Sequence, residues 1–190
     1  MFKPRIFGKY LLLERLGFGG LGEVYKAKDF GKRGYQKLVA IKTIRPIYAD
    51  EKEVIELFRN EAILSMTLKH DNIINTFEYG KVKDQYFIVM EYIHGHDVRS
   101  ILRKTKERNE LFPLNYILSI FCNVLAGLDY VHNQKDPFNK DVNIVHRDIS
   151  PSNVLISYTG TVKLIDFGIA RIDAIEKKDK NVFVGKLKYA

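Results

Sequence analysis

The 190 residues contain one cysteine, Cys122. No intrachain disulfide can form, the fold must be held by its core, and the expected compartment is the reducing cytoplasm. No apolar run follows Met1-Phe2-Lys3-Pro4-Arg5, so no secretory leader is expected. The most apolar stretch, residues 116 to 128, contains Asn123 and is short for a bilayer, which predicts a buried helix and no membrane segment. There is no internal repeat and no low-complexity segment. Nor is there a stripe of interleaved aromatic and basic residues, so nucleic acid is not the expected partner. The formal charge of +8 is scattered along the chain, and it suits a polyphosphate ligand as well as any other anion. His94 and His96 have no third ligand nearby, which argues against a zinc site.

What is present is an ordinary globular composition, 46% hydrophobic and 28% charged, long enough for one core or two small lobes. The central stretch is Ile144-Val145-His146-Arg147-Asp148-Ile149-Ser150-Pro151-Ser152-Asn153, followed later by Asp166-Phe167-Gly168. The apolar runs Val154-Leu155-Ile156 and Val162-Lys163-Leu164-Ile165, joined at Tyr158-Thr159-Gly160, predict two short strands with polar side chains at both ends. Asp148, Asn153 and Asp166 carry hard oxygen atoms of the kind Mg²⁺ prefers.

Upstream, Gly17-Phe18-Gly19-Gly20-Leu21-Gly22 is followed by Glu23 rather than Lys-Ser/Thr, which excludes a Walker-type loop. The period-two alternation over residues 23 to 28 predicts a strand, not the helix of a dinucleotide fold. A strand, glycine loop, strand hairpin can lie over phosphates and offer backbone N–H groups where side chains would clash. Residues 38 to 44 predict a further strand carrying one lysine, Lys42, among apolar residues. Residues 50 to 68 predict a helix with an apolar face of Val54, Leu57, Phe58, Ala62, Leu64 and Leu68. Strands follow at 76 to 81 and 85 to 92, then a linker marked by Gly95, a short basic helix at 98 to 107, and a long helix opened by Pro113.

The glycine loop, Val39-Ala40-Ile41-Lys42, His146-Arg147-Asp148 with Asn153, and Asp166-Phe167-Gly168 together resemble the motifs of eukaryotic-type protein kinases. The polar insert at 133 to 143 and the Ser150-Pro151 version of the catalytic loop resemble a bacterial branch of the Ser/Thr kinases. The resemblance implies an α+β, protein-kinase-like bilobal fold: a small antiparallel-sheet N-lobe with helix C (1–93, ATP-binding) and a helical C-lobe (94–190). The C-lobe is expected to be incomplete, stopping before the A-P-E motif, and such a fragment is expected to be inactive alone.

The resemblance also implies ATP and Mg²⁺ as cofactors and a protein bearing Ser or Thr as substrate. ATP would meet Leu16, Gly17, Gly19, Gly22, Val24, Ala40, Lys42, Glu91, Ile93, Asp97 and Leu155, with Met90 as gatekeeper. Asn153 and Asp166 would hold the metal. Glu61 would hold Lys42, and Asp148 would accept the hydroxyl proton. His146 and Phe167 would pack. Two departures from the pattern stand out. Ser65 replaces a bulky apolar residue, which is expected to loosen the packing of its helix. Ser150 replaces a lysine, and Lys186 stands where a threonine is usual, so an exchanged Ser150–Lys186 pair is expected beside Asp148. Residues 169 to 184 contain no Ser, Thr or Tyr, which excludes an activating phosphate there and leaves Asp173, Glu176 and Asp179 as candidate permanent charges. Two other readings stay open: a pseudokinase-like nucleotide-binding or interaction fragment, and a small-molecule phosphotransferase of the same fold.

Overall fold

Alternating apolar residues and well-placed turns build an antiparallel sheet from the first half of the chain. The computed structural model describes residues 2–18, 22–31, 36–135, 138–142 and 144–167. Six strands, β1 (Arg5–Phe7), β2 (Tyr10–Phe18), β3 (Gly22–Phe30), β4 (Gln36–Ile44), β5 (Thr76–Val82) and β6 (Gln85–Glu91), lie in the order β1-β2-β3-β4-β6-β5. The short first strand was not anticipated; its three residues are too few to show a period. One face of the sheet buries Tyr10, Leu12, Tyr25, Ala27, Val39, Ile41 and Phe87. On the other, Ile44 and Ile88 pack against Phe58 and Ala62 of helix α1 (Lys52–Thr67). Ser65 is buried in α1.

The backbone divides into two units: Met1–Thr67 with Asn75–Tyr92, and Leu68–Ile74 with the chain from Ile93 onward. The segment 68–74, assigned by the sequence to the first lobe, therefore groups with the second. The reason is its bonding. Ile74 N–H donates to the Leu164 carbonyl at 3.0 Å, and Leu164 N–H donates to the Asn72 carbonyl at 2.8 Å. Asn72 Nδ2 donates to Asn123 Oδ1 at 2.7 Å and to the Val162 carbonyl at 3.1 Å, and Lys163 Nζ donates to the Ile73 carbonyl at 3.1 Å.

In this second unit β7 (Gly95–Asp97), β8 (Val154–Ser157) and β9 (Val162–Leu164) form a small antiparallel sheet, and α2 (Val98–Glu107) and α3 (Leu114–His132) are its helices. Asp97 caps α2: its carboxylate accepts from Ser100 N–H at 2.9 Å and from Ser100 Oγ at 2.6 Å. Gly95 is more than a linker. A Cβ there would lie 1.9 Å from the Ile156 carbonyl oxygen, so only glycine lets β7 approach β8. Helix α3 buries Val124, Gly127 and Val131, with Val124 packed on Val154, Val162 and Leu164. At 19 residues it is longer than its most apolar stretch suggested, and by length and composition alone it could cross a membrane. Two of its apolar residues, Phe121 and Leu125, are 61% and 59% exposed.

Candidate active site

The sheet unit carries the first set of residues. In β4, Ala40, Lys42 and Ile44 share a face by the two-residue period, and Ile44 is packed on α1. On α1, Glu61 follows Phe58 by three positions and precedes Ala62, which places it on the helix's buried face. Lys42 Nζ accordingly donates to Glu61 Oε1 at 2.6 Å, with side-chain exposures of 14% and 9%. Val24 stands opposite Lys42 across β3 and β4, so Val24, Ala40 and Lys42 lie on one sheet face. Leu16 is exposed at the end of β2, and a Cβ on Gly17 would meet no atom within 4 Å. Both leave room for a ligand. Gly22 has another reason to be glycine: a Cβ would sit 2.5 Å from the Thr43 carbonyl oxygen, so the approach of β4 already requires it. Glu91 Oε1 accepts from the Asn75 N–H at 2.7 Å and from Asn75 Nδ2 at 3.0 Å, bracing the end of β6. Met90 packs with Ile44, Phe58 and Ile88.

The helical unit carries the second set on irregular backbone. Arg147 and Asp166 adopt φ of 60° and 55°, the left-handed region that non-glycine residues seldom occupy. Each is held by neighbouring bonds. His146 is buried against Phe167, ring centroids 4.7 Å apart. Its Nε2 donates to the Ile165 carbonyl at 3.0 Å, beside Asp166, and its Nδ1 accepts from Asp148 N–H at 3.3 Å. Those two bonds select the neutral imidazole. Burial pushes its pKa below the ordinary histidine value, opposed by the Ile165 carbonyl and by the Asp148 and Asp166 charges. Asn153, the last residue of a 3-10 turn (Pro151–Asn153), donates Nδ2 to both the Asp148 carbonyl and Asp148 Oδ2 at 2.9 Å. The amide oxygen of Asn153 is thereby left as its donor to a cation.

An amide oxygen with the Asp166 carboxylate is a hard-oxygen set that fits Mg²⁺. Among the described residues no group of three or more His, Cys, Asp or Glu could hold a metal. That also fits Mg²⁺, which commonly takes one or two protein carboxylates and completes its shell with phosphate and water.

Asp97 and Leu155 face each other in the β7–β8 register, and Ile93 is the first residue of this unit after the division. Ser150 is buried, its Oγ 3.0 Å from Ser152 Oγ. Gly19, Gly168, the acidic residues at 173, 176 and 179, and Lys186 lie outside the described residues. His94 and His96 have a structural occupation: both rings meet Tyr158 edge-on, and Tyr158 OH lies 2.9 Å from His96 Nε2.

Sequence reasoning missed Asn72 and Lys163, the side chains that tie residues 68–74 into the second unit. For Lys163 a signal existed, a lone charge inside Val162-Lys163-Leu164-Ile165, the same pattern that singled out Lys42. For Asn72 no local signal named its partners, which lie 51 and 90 residues away.

Residues 10–190 match the protein kinase domain family. The chain is 36% identical over 168 residues to the tyrosine-protein kinase MasK of Myxococcus xanthus, covering 88% of this chain and 26% of that protein. It is also 36% identical over 166 residues to the serine/threonine-protein kinase PrkC of Bacillus subtilis, covering 87% and 23%. Among solved structures it resembles the PknI kinase domain of Mycobacterium tuberculosis, with a TM-score of 0.67 and 27% identity over 87% of this chain and 62% of that one. The chain thus spans about a quarter of the length of these curated relatives. With the paired Lys42–Glu61, the Asp148–Asn153 clamp and this match over nearly its whole length, the chain belongs to the protein kinase domain family.

Proposed function

We propose that the protein carrying this chain transfers the γ-phosphoryl group of ATP, with Mg²⁺, to serine or threonine hydroxyls of proteins. The observation that carries the proposal is the 2.6 Å pair of Lys42 with Glu61. A lysine placed mid-strand and almost buried requires a counter-charge, and the ammonium so held is a fixed donor for α- and β-phosphates. Val24 and Ala40, on the same face, supply apolar surface for adenine. Asp148 accepts the proton of the substrate hydroxyl while the hydroxyl oxygen bonds to the γ-phosphorus and the bond to the β–γ bridging oxygen breaks. Asn153 orients that carboxylate through its Nδ2, and Asn153 with Asp166 would hold the metal. When bound, Mg²⁺ neutralises charge on the phosphate oxygens. The names PrkC and MasK divide between serine/threonine and tyrosine kinases. The serine/threonine assignment follows the larger share of named relatives, PrkC, PknB and PknD.

The test is ATP-dependent labelling of a generic protein substrate, followed by phosphoamino-acid analysis. Labelled phosphoserine or phosphothreonine is expected, with rates reduced at least about 10²-fold by Asp148→Asn and by Asp166→Ala. Nucleotide binding without transfer would favour the pseudokinase reading. Phosphotyrosine alone would overturn the serine/threonine assignment.

A further inference from the structure

The match to the protein kinase family begins at residue 10, so β1 lies outside it. Among the described residues this strand ends the sheet and pairs on one side only, with β2. The pair Phe7–Tyr10 closes the Gly8–Lys9 turn. Hydrogen-bonded and non-hydrogen-bonded pairs alternate along an antiparallel ladder, so Arg5 and Phe7 exchange bonds with β2, and Ile6 turns its N–H and C=O outward.

A cavity of about 360 Å³ opens at this strand, walled by Ile6, Phe7, Ile44, Pro46, Val82 and Tyr86. No β2 residue lines it; facing β1 across it are Val82, Lys83, Asp84, Gln85 and Tyr86 at the β5–β6 turn. Ile6 on its wall is 70% exposed, and Ile47, beside it in the same 3-10 turn as Pro46, is 64% exposed. Its charge is unbalanced. Asp84 is paired with Lys81 at 3.5 Å and the Arg5 guanidinium lies over the Tyr25 ring, 5.8 Å from its centroid, whereas Lys83, which also lines the cavity, has no carboxylate partner among the described residues.

We propose that this edge docks an extended acidic and apolar segment of a partner protein, added as a strand to β1. The unpaired Ile6 backbone supplies one donor and one acceptor for the added strand, which a compact ligand would leave unused. The cavity takes the apolar side chain that such a strand turns inward. Lys83 selects a carboxylate beside it. The site lies wholly in the sheet unit and does not depend on phosphoryl transfer.

The experiment measures binding directly by fluorescence anisotropy on the protein carrying this chain. The probes are two labelled, blocked pentapeptides, Asp-Val-Leu-Val-Glu and Lys-Val-Leu-Val-Lys. Amide exchange at Ile6 is followed by NMR. The acidic peptide is expected to bind saturably, at least about ten-fold more tightly than the basic one, and to slow exchange of the Ile6 amide. Ile6→Pro removes the outward N–H without removing a β1–β2 bond and is expected to weaken binding about ten-fold. Lys83→Glu should weaken it about three-fold or more, with the larger effect at low salt. Should Ile6→Pro fail to fold, Lys83→Glu and exchange at the native Ile6 amide decide the matter. The proposal is overturned by no saturable binding below about 1 mM, by equal affinity for both peptides, or by binding that leaves Ile6 exchange unchanged. Dimerisation lost on Ile6→Pro would assign the edge to a second copy and overturn it likewise.

Discussion

The two units place their charged residues by different means. In the sheet unit, Lys42 and Glu61 stand on a regular strand and a regular helix, and each reaches the other because its period puts it on the facing side. In the helical unit, Asp148, Asn153 and Asp166 stand on turns and irregular segments. There the positions are captured by individual bonds: Asn153 to Asp148, His146 to the Ile165 carbonyl, and Asn72 to Asn123 and Val162. Regular elements position a group by packing spread over many residues. An irregular loop does so through a few directional contacts, each separately removable.

The largest effect on stability is expected in the sheet unit. Lys42→Met leaves the Glu61 carboxylate almost buried without its ammonium, and the cost should be about 3 kcal/mol, at the lower end for a broken buried pair because Lys42 keeps 14% exposure. Adding Glu61→Leu to Lys42→Met should recover most of that loss in urea unfolding without restoring ATP-dependent labelling. A single variant as stable as the parent would show that Glu61 does not depend on Lys42 for its charge.

In the helical unit, Asn72→Ala should cost about 1–2 kcal/mol by removing bonds to Asn123 and Val162. Exchange of the Ile74 and Leu164 amides should quicken, while the amides of β3 and β4 keep their protection. Equal quickening in both would erase the contrast between local capture and distributed packing.

The most local change is the titration of His146. Its folded pKa is depressed by burial, so the unfolded chain takes up the proton first as pH falls. The stability it contributes is complete above the unfolded value of about 6.5 and is lost as pH falls from there through the folded value. Melting temperatures at pH 7.5, 6.5 and 5.5 should show the decline in the parent and a smaller one in His146→Leu. An unchanged decline would place the titration elsewhere.

Much of this was legible beforehand. The strands at β2, β3, β4 and β6, helices α1 and α2, and the β8–β9 hairpin follow from periods of two and 3.6 and from turn residues at their ends. Helix α2 spans the residues expected of it, since Asp97 caps its start. The Lys42–Glu61 pair was implied by the family resemblance and not by periodicity, which alone reads Glu61 as a solvated charge. The assignment of Leu68–Ile74 to the first lobe was wrong for a physical reason. Chain order placed it between α1 and β5, whereas its bonds run to Asn123, Val162 and Leu164.

The glycines divide in the same way. Gly22 reads as part of a phosphate loop, yet the Thr43 carbonyl alone would require it, and Gly95 reads as a linker, yet it lies against Ile156 in a sheet. A glycine announces that something comes close; it does not say what. His94 and His96, read from the sequence as no zinc site, both meet the Tyr158 ring edge-on.

Local periodicity and motif order, both written in the chain, determined most of the elements and the family. Tertiary structure alone decided which irregular segment belongs to which unit, which tautomer His146 adopts, and that β1, paired with β2 on one side, stands beside a cavity. Those outcomes depend on contacts between residues far apart in sequence. Such contacts form only when the burial and hydrogen bonding of the whole unit outweigh the entropy of closing the loops between them.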